Sequence, residues 1–160
     1  MNHTDAYVDI LVTSLRKKVL LLEKIENVIT EQERELKKTS PDIDHLDEIE
    51  KQIGELLQEV EQAEDGFESV YNRVKDSMGD NKEKYKSQIQ EMQGYIKKIT
   101  DKTVKIKAQE VRNQQYMKIF FENKKREIRQ FRSGNRSVAR YSQHTANSAM
   151  GQSYFLNKKK

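Results

Sequence analysis

The chain has 160 residues, 35% charged and 34% hydrophobic, and a formal net charge of +4. So few apolar residues exclude a thick globular core and fit thin helix-on-helix packing, in which a narrow stripe is buried and the rest of each helix stays wet. The absence of cysteine excludes disulfides, zinc–thiolate sites and thiol nucleophiles, and agrees with a cytoplasmic location.

The N-terminal segment Met1-Asn2-His3-Thr4-Asp5 has no basic stretch, and the longest apolar run is Val19 to Leu22. Neither a signal peptide nor a membrane span is expected. The first helix is predicted over about 4–38: Leu11, Leu15, Lys18, Leu22, Ile25, Ile29, Gln32 and Leu36 follow 4-3 spacing, the signature of an amphipathic helix. Thr39-Ser40-Pro41-Asp42 breaks it. Ser40 is a suitable N-cap for the next helix, and Pro41 suits the first helical position, where its missing N–H costs nothing. The acids Asp42, Asp44 and Asp47 favour a helix start electrostatically.

The second helix is predicted over about 43–78. Leu46, Ile49, Ile53, Leu56, Val60, Ala63, Phe67, Val70 and Val74 hold the spacing without a polar member, and the stripe keeps its register across Gly66, so the helix reads as continuous, with a turn at Asp65-Gly66 as the alternative. Gly79 reads as the residue that ends this helix. Asp80 with Glu83 reads as a capping box that opens a third helix over about 80–132. So short a connection forces an antiparallel hairpin.

Along the third helix Tyr85, Ile89, Met92, Ile96, Ile99, Thr103, Ile106, Glu110, Asn113, Met117 and Phe120 continue the pattern. The fold class is therefore all-α: an elongated antiparallel three-helix bundle over 1–132, followed by a mobile basic and aromatic tail over 133–160. Thr103, Glu110 and Asn113 interrupt the apolar seam. Either the stripe runs into solvent near Glu110, or these residues form a hinge or a polar register device.

At 1.5 Å per residue the first two helices are each about 50 Å long and the third about 80 Å. A hairpin closing at Gly79 makes everything from Tyr116 to Arg132 project beyond the bundle. That overhang carries Tyr116, Met117, Ile119, Phe120, Phe121, Ile128 and Phe131, and seven of the chain's twelve aromatics lie at or after Tyr116. It is also basic: residues 116–160 hold 11 Lys and Arg against 2 Asp and Glu, whereas residues 1–115 hold 19 against 24. So dense an apolar patch marks an interface. Burying five such side chains yields about 7–15 kcal/mol gross, against an association cost of about 4–15 kcal/mol. The patch is satisfied either within the protein, by sliding of helices, return of the tail or pairing of two copies in a homodimer, or by a different protein.

No phosphate loop, nucleophile elbow or HExxH motif is present, and His3, His45 and His144 lack metal-ligand spacing. The acids around Asp42 lack the glycine and spacing of a calcium loop. No enzymatic activity, cofactor, metal or small-molecule substrate is expected. Lys124-Lys125-Arg126, Arg129 and Arg132 could in principle neutralise phosphates, but no nucleic-acid motif accompanies them, and a basic amphipathic helix on anionic lipid is the weaker reading still.

Several stretches carry a resemblance to a known family. They are Ile10-Leu11-Val12-Thr13-Ser14-Leu15-Arg16-Lys17-Lys18 leading into Leu20-Leu21-Leu22 and Thr30-Glu31-Gln32, then Asp65-Gly66-Phe67-Glu68 and Val70-Tyr71-Asn72-Arg73-Val74, and finally Gly151-Gln152-Ser153-Tyr154-Phe155-Leu156-Asn157 with three closing lysines. The chain resembles flagellar export chaperones of the FlgN/FliT type. The resemblance implies a cytoplasmic helical protein that binds the terminal segments of flagellar hook-associated (hook–filament junction) proteins and brings them to the export gate. It implies client binding on the C-terminal helix, here Tyr116, Met117, Phe120, Phe121, Lys124, Ile128, Arg129 and Phe131. It also implies docking on the export gate through a tail aromatic, with Tyr154, Phe155 and Tyr141 as candidates. The alternative is a structural homodimeric coiled coil, and behind it a basic nucleic-acid-binding helical protein.

Overall fold

The computed structural model describes residues 3–131, all of them in three helices and their two connections: α1 (His3–Leu36), α2 (Ile43–Asp80) and α3 (Lys86–Phe131). The tail and its aromatics Tyr141, Tyr154 and Phe155 lie outside the described residues. The architecture is all-α. The helices form two compact units: 3–25 with 56–104, and 26–55 with 105–131.

In the first unit α1 meets both other helices, and this explains its wide apolar face. Val8, Leu11, Val12, Leu15, Val19, Leu21, Leu22 and Ile25 are all buried. Toward α3 and the turn that leads into it, Asp5 Oδ1 accepts from Tyr85 Oη (2.6 Å), Arg16 Nη2 donates to Glu91 Oε2 (3.0 Å), and Lys102 approaches Glu23 (3.8 Å). The contacts ascend both sequences together, so α1 and α3 run parallel here. Toward α2, Lys18 pairs with Glu64 at 2.8 Å. That contact explains how a lysine occupies a seam position: its stem packs while its head finds a carboxylate.

In the second unit α1 and α2 form an antiparallel hairpin around residues 37–42. Its cap differs from the expected one. Asp42, not Ser40, closes the N-terminus of α2: its Oδ1 accepts from the N–H groups of Asp44 (3.0 Å) and His45 (3.3 Å). Pro41 precedes the cap instead of occupying the first helical position. The shift follows from Glu35, buried in the last turn of α1, whose Oε2 accepts from the Asp42 N–H at 3.1 Å while Oε1 meets Lys38 at 3.0 Å. These bonds hold the Glu35 carboxyl below its ordinary pKa, with the Asp42 N–H as the largest cause.

The α2–α3 connection also departs from expectation. α2 runs through Gly66 and Gly79 to Asp80, and Gly79 does not adopt the left-handed backbone of a helix-ending glycine. The turn occupies residues 81–85. Asn81 closes α2 by donating from Nδ2 to the Ser77 carbonyl (2.8 Å), and α3 begins at Lys86 rather than through an Asp80–Glu83 box. Buried Tyr85, anchored on Asp5, fixes where the chain turns.

Candidate functional site

The displaced turn changes which part of α3 is covered. In the second unit Phe120 is only 7% exposed and clusters with Leu36 and Leu46, with Ile43, Tyr116 and Met117 packed against them. Leu46 and Phe120 are centred in sequence on residue 83, inside the 81–85 turn. A hairpin closing at Gly79 would have ended coverage near Gln114. Tyr116, Met117 and Phe120 thus belong to the bundle's edge and do not project as a bare overhang. Lys37 Nζ lies 5.5 Å from the Tyr116 ring centre, and Lys124 Nζ lies 5.8 Å from that of Phe120.

Phe120 is the last buried residue of α3 among the described side chains. The seam nevertheless continues. Met117, Phe121, Lys124, Ile128 and Phe131 follow at spacings of 4, 3, 4 and 3, which keeps them on the face that carries Asn113 one turn and Glu110 two turns earlier. Met117, Phe121, Lys124 and Ile128 are half-buried, whereas Arg129 is exposed. Phe131 is placed on this face by its backbone alone. Residues 121–131 span about 16 Å of helix.

The surroundings of this face are basic. Lys125 Nζ sits 5.1 Å from the Phe121 ring centre, and Lys124 pairs with Glu127 at 3.3 Å. Against Lys118, Lys124, Lys125, Arg126 and Arg129 stand only Glu122 and Glu127. Ile119, which the partner-binding reading passed over, is 56% exposed on the flank of this stretch. A seam that carries its spacing past its covering helices, with cations beside it, presents the surface an amphipathic helix with acidic edges would fit.

Immediately before this face, Glu110 and Asn113 are buried, so the stripe does not run into solvent there. Asn113 Nδ2 donates to the Ile29 carbonyl and to Gln32 Oε1, each at 2.9 Å. Gln32 Nε2 donates to Glu50 Oε1 (2.6 Å), and Gln109 Nε2 donates to both Asn113 Oδ1 (2.8 Å) and Glu33 Oε2 (2.6 Å). The Gln109 bond is the main reason that the Glu33 carboxyl lies below its ordinary pKa. A polar layer therefore crosses all three helices. The sequence signalled Gln32 and Asn113 only as polar entries in apolar stripes and gave no sign of Gln109 or Glu50. Thr103 answers the remaining interruption locally, donating to the Ile99 carbonyl at 2.7 Å.

No group of three or more His, Asp or Glu that could hold a metal occurs among the described residues, and none of their helices is long and apolar enough to cross a membrane. His45 lies 3.2 Å from Glu31, and His3 lies beside Tyr7. No curated protein and no solved structure matches the chain. A family model described as FlgN protein matches residues 1–149. With that match covering 149 of its 160 residues, the chain belongs to the FlgN family, a family of flagellar export chaperones and not of enzymes.

Proposed function

We propose that this protein is a cytoplasmic chaperone that holds the terminal helical segment of a flagellar hook-associated protein on the C-terminal end of α3 and delivers it to the export apparatus. The observation that supports this most is the continuation of the α3 seam past Phe120. Met117, Phe121, Ile128 and, by position, Phe131 present apolar groups at the spacing an amphipathic helix reads. Lys124 and Arg129 meet acidic client residues and speed encounter. Tyr116 and Phe120 act beneath this surface, by fixing α3 on Leu36 and Leu46. Tyr154, with Phe155 and Tyr141 behind it, is the proposed contact to the export gate.

Phe121→Ala combined with Ile128→Ala is expected to weaken client binding by about two orders of magnitude or more. Each side chain is worth about 1.5–3 kcal/mol if fully buried, and about 1.4 kcal/mol is tenfold in affinity. Circular dichroism and the urea midpoint should stay near the parent's, since both residues lie beyond the buried core. The measurement is calorimetric titration with the C-terminal segment of a hook–filament junction protein. Undiminished affinity in the double variant would remove the surface from the proposal. A homodimer pairing the same faces is the second reading. The matching apolar seam favours it, and a mass in solution of two chains at all concentrations would support it.

A further inference from the structure

Glu110 is the most demanding group among the described residues. It is 2% exposed, and its Oε1 is buried without a hydrogen-bond partner. It sits one helical turn before Asn113 in the polar layer of the second unit, in a core otherwise lined by residues such as Ile29, Ile49 and Ile106. We propose that Glu110 is a proton-operated latch: protonated, it lets α3 stay seated against α1 and α2 in this unit; ionised, it confronts Glu50 inside the bundle and loosens that seat.

The groups around it offset an ionised carboxylate only in part. From α2 comes Glu50, a like charge that already accepts from Gln32 at 2.6 Å. From α1 come Gln32, which is committed to Glu50 and Asn113, and Glu33, which is engaged by Gln109 at 2.6 Å and Arg112 at 3.7 Å. On α3 itself Lys107 attracts the carboxylate, but less than burial and Glu50 oppose it. The Glu110 pKa is accordingly pushed up to about 7, first by loss of water and then by Glu50. A neutral carboxyl needs only ordinary hydrogen bonding in such a place, whereas an ionised one carries the cost of an uncompensated buried charge.

The sign of the effect follows from linkage. Between its ordinary value of 4.5 and the folded value of about 7, the folded protein holds a proton that the unfolded chain has released. Stability is therefore complete below that window, falls as pH rises through it, and levels off above. A separation of that size changes the folding equilibrium constant on the order of a hundredfold.

The test is urea unfolding of the full chain between about pH 5 and about pH 8.5, beside Glu110→Gln, which keeps the shape and removes the titration. The proposal expects the parent to lose on the order of a hundredfold more in its folding constant across this range than the variant. It also expects amide exchange at residues 105–120 to be faster in the parent than in the variant at about pH 8. Parallel curves for the two proteins would overturn it. Carboxyl-carbon NMR of Glu110 in the parent keeps the question decidable if the variant folds poorly: a midpoint near 7 supports the latch, and one near 4.5 overturns it. None of these readouts depends on whether the protein binds a flagellar client.

Discussion

Replacing Phe120 with alanine is expected to destabilise the protein by about 3–5 kcal/mol, the usual cost of emptying a buried aromatic site. Urea unfolding of the full chain is the measurement. The reason is local. Phe120 fills the space between Leu36 at the end of α1 and Leu46 at the start of α2, and Ile43, Tyr116 and Met117 close over that cluster. The neighbouring Ile119→Ala should change stability by no more than about 0.5 kcal/mol, because that side chain is 56% exposed. The contrast matters for function: lost client binding in a Phe120 variant would report a loosened bundle edge before it reported a lost contact. Under the proposed function, Phe121 and Ile128 are the positions expected to separate binding from stability.

Asn113→Ala is expected to cost about 2–3 kcal/mol, since removing one partner leaves buried polar groups without hydrogen bonds. Asn113 is 1% exposed and joins the Ile29 carbonyl, Gln32 and Gln109. Gln32→Ala should cost less in the Asn113→Ala background than in the parent, with a coupling above about 0.5 kcal/mol, because the two side chains share one network. Thermal or urea unfolding of the four proteins in the cycle measures it, and strictly additive effects would mean that the layer does not act as a unit.

The seam of α1 was legible because local pattern and packing agree. Leu11, Leu15, Leu22, Ile25, Ile29 and Leu36 are buried as their spacing requires. Gln32 is buried with them despite its polarity, because Glu50 and Asn113 supply partners from other helices. Val8, Val12, Val19 and Leu21 were missed: a single stripe describes contact with one helix, and in the first unit α1 meets two. The α2–α3 turn was misplaced for a related reason. Gly79, Asp80 and Glu83 are sound local signals for a helix end and a new start. The turn position is set instead by Tyr85 reaching Asp5, a pairing 80 residues apart that no local window contains. That displacement moved the predicted limit of the bundle from near Gln114 to Phe120, and so divided the candidate residues into an edge cluster and a half-buried continuation of the seam. The basic, aromatic character of the C-terminal part of α3 was legible throughout, since it depends on composition and not on register.

The proposed client surface is α3 beyond Phe120. Its most direct test is calorimetric titration of the C-terminal segment of a junction protein into the full chain and into a chain ending at Glu122, which keeps the Phe120 cluster whole. Micromolar or tighter binding to the full chain is expected, and none to the shortened chain at an unchanged urea midpoint. Equal affinity for both, or no binding by a folded full chain to any hook–filament junction protein, would contradict it.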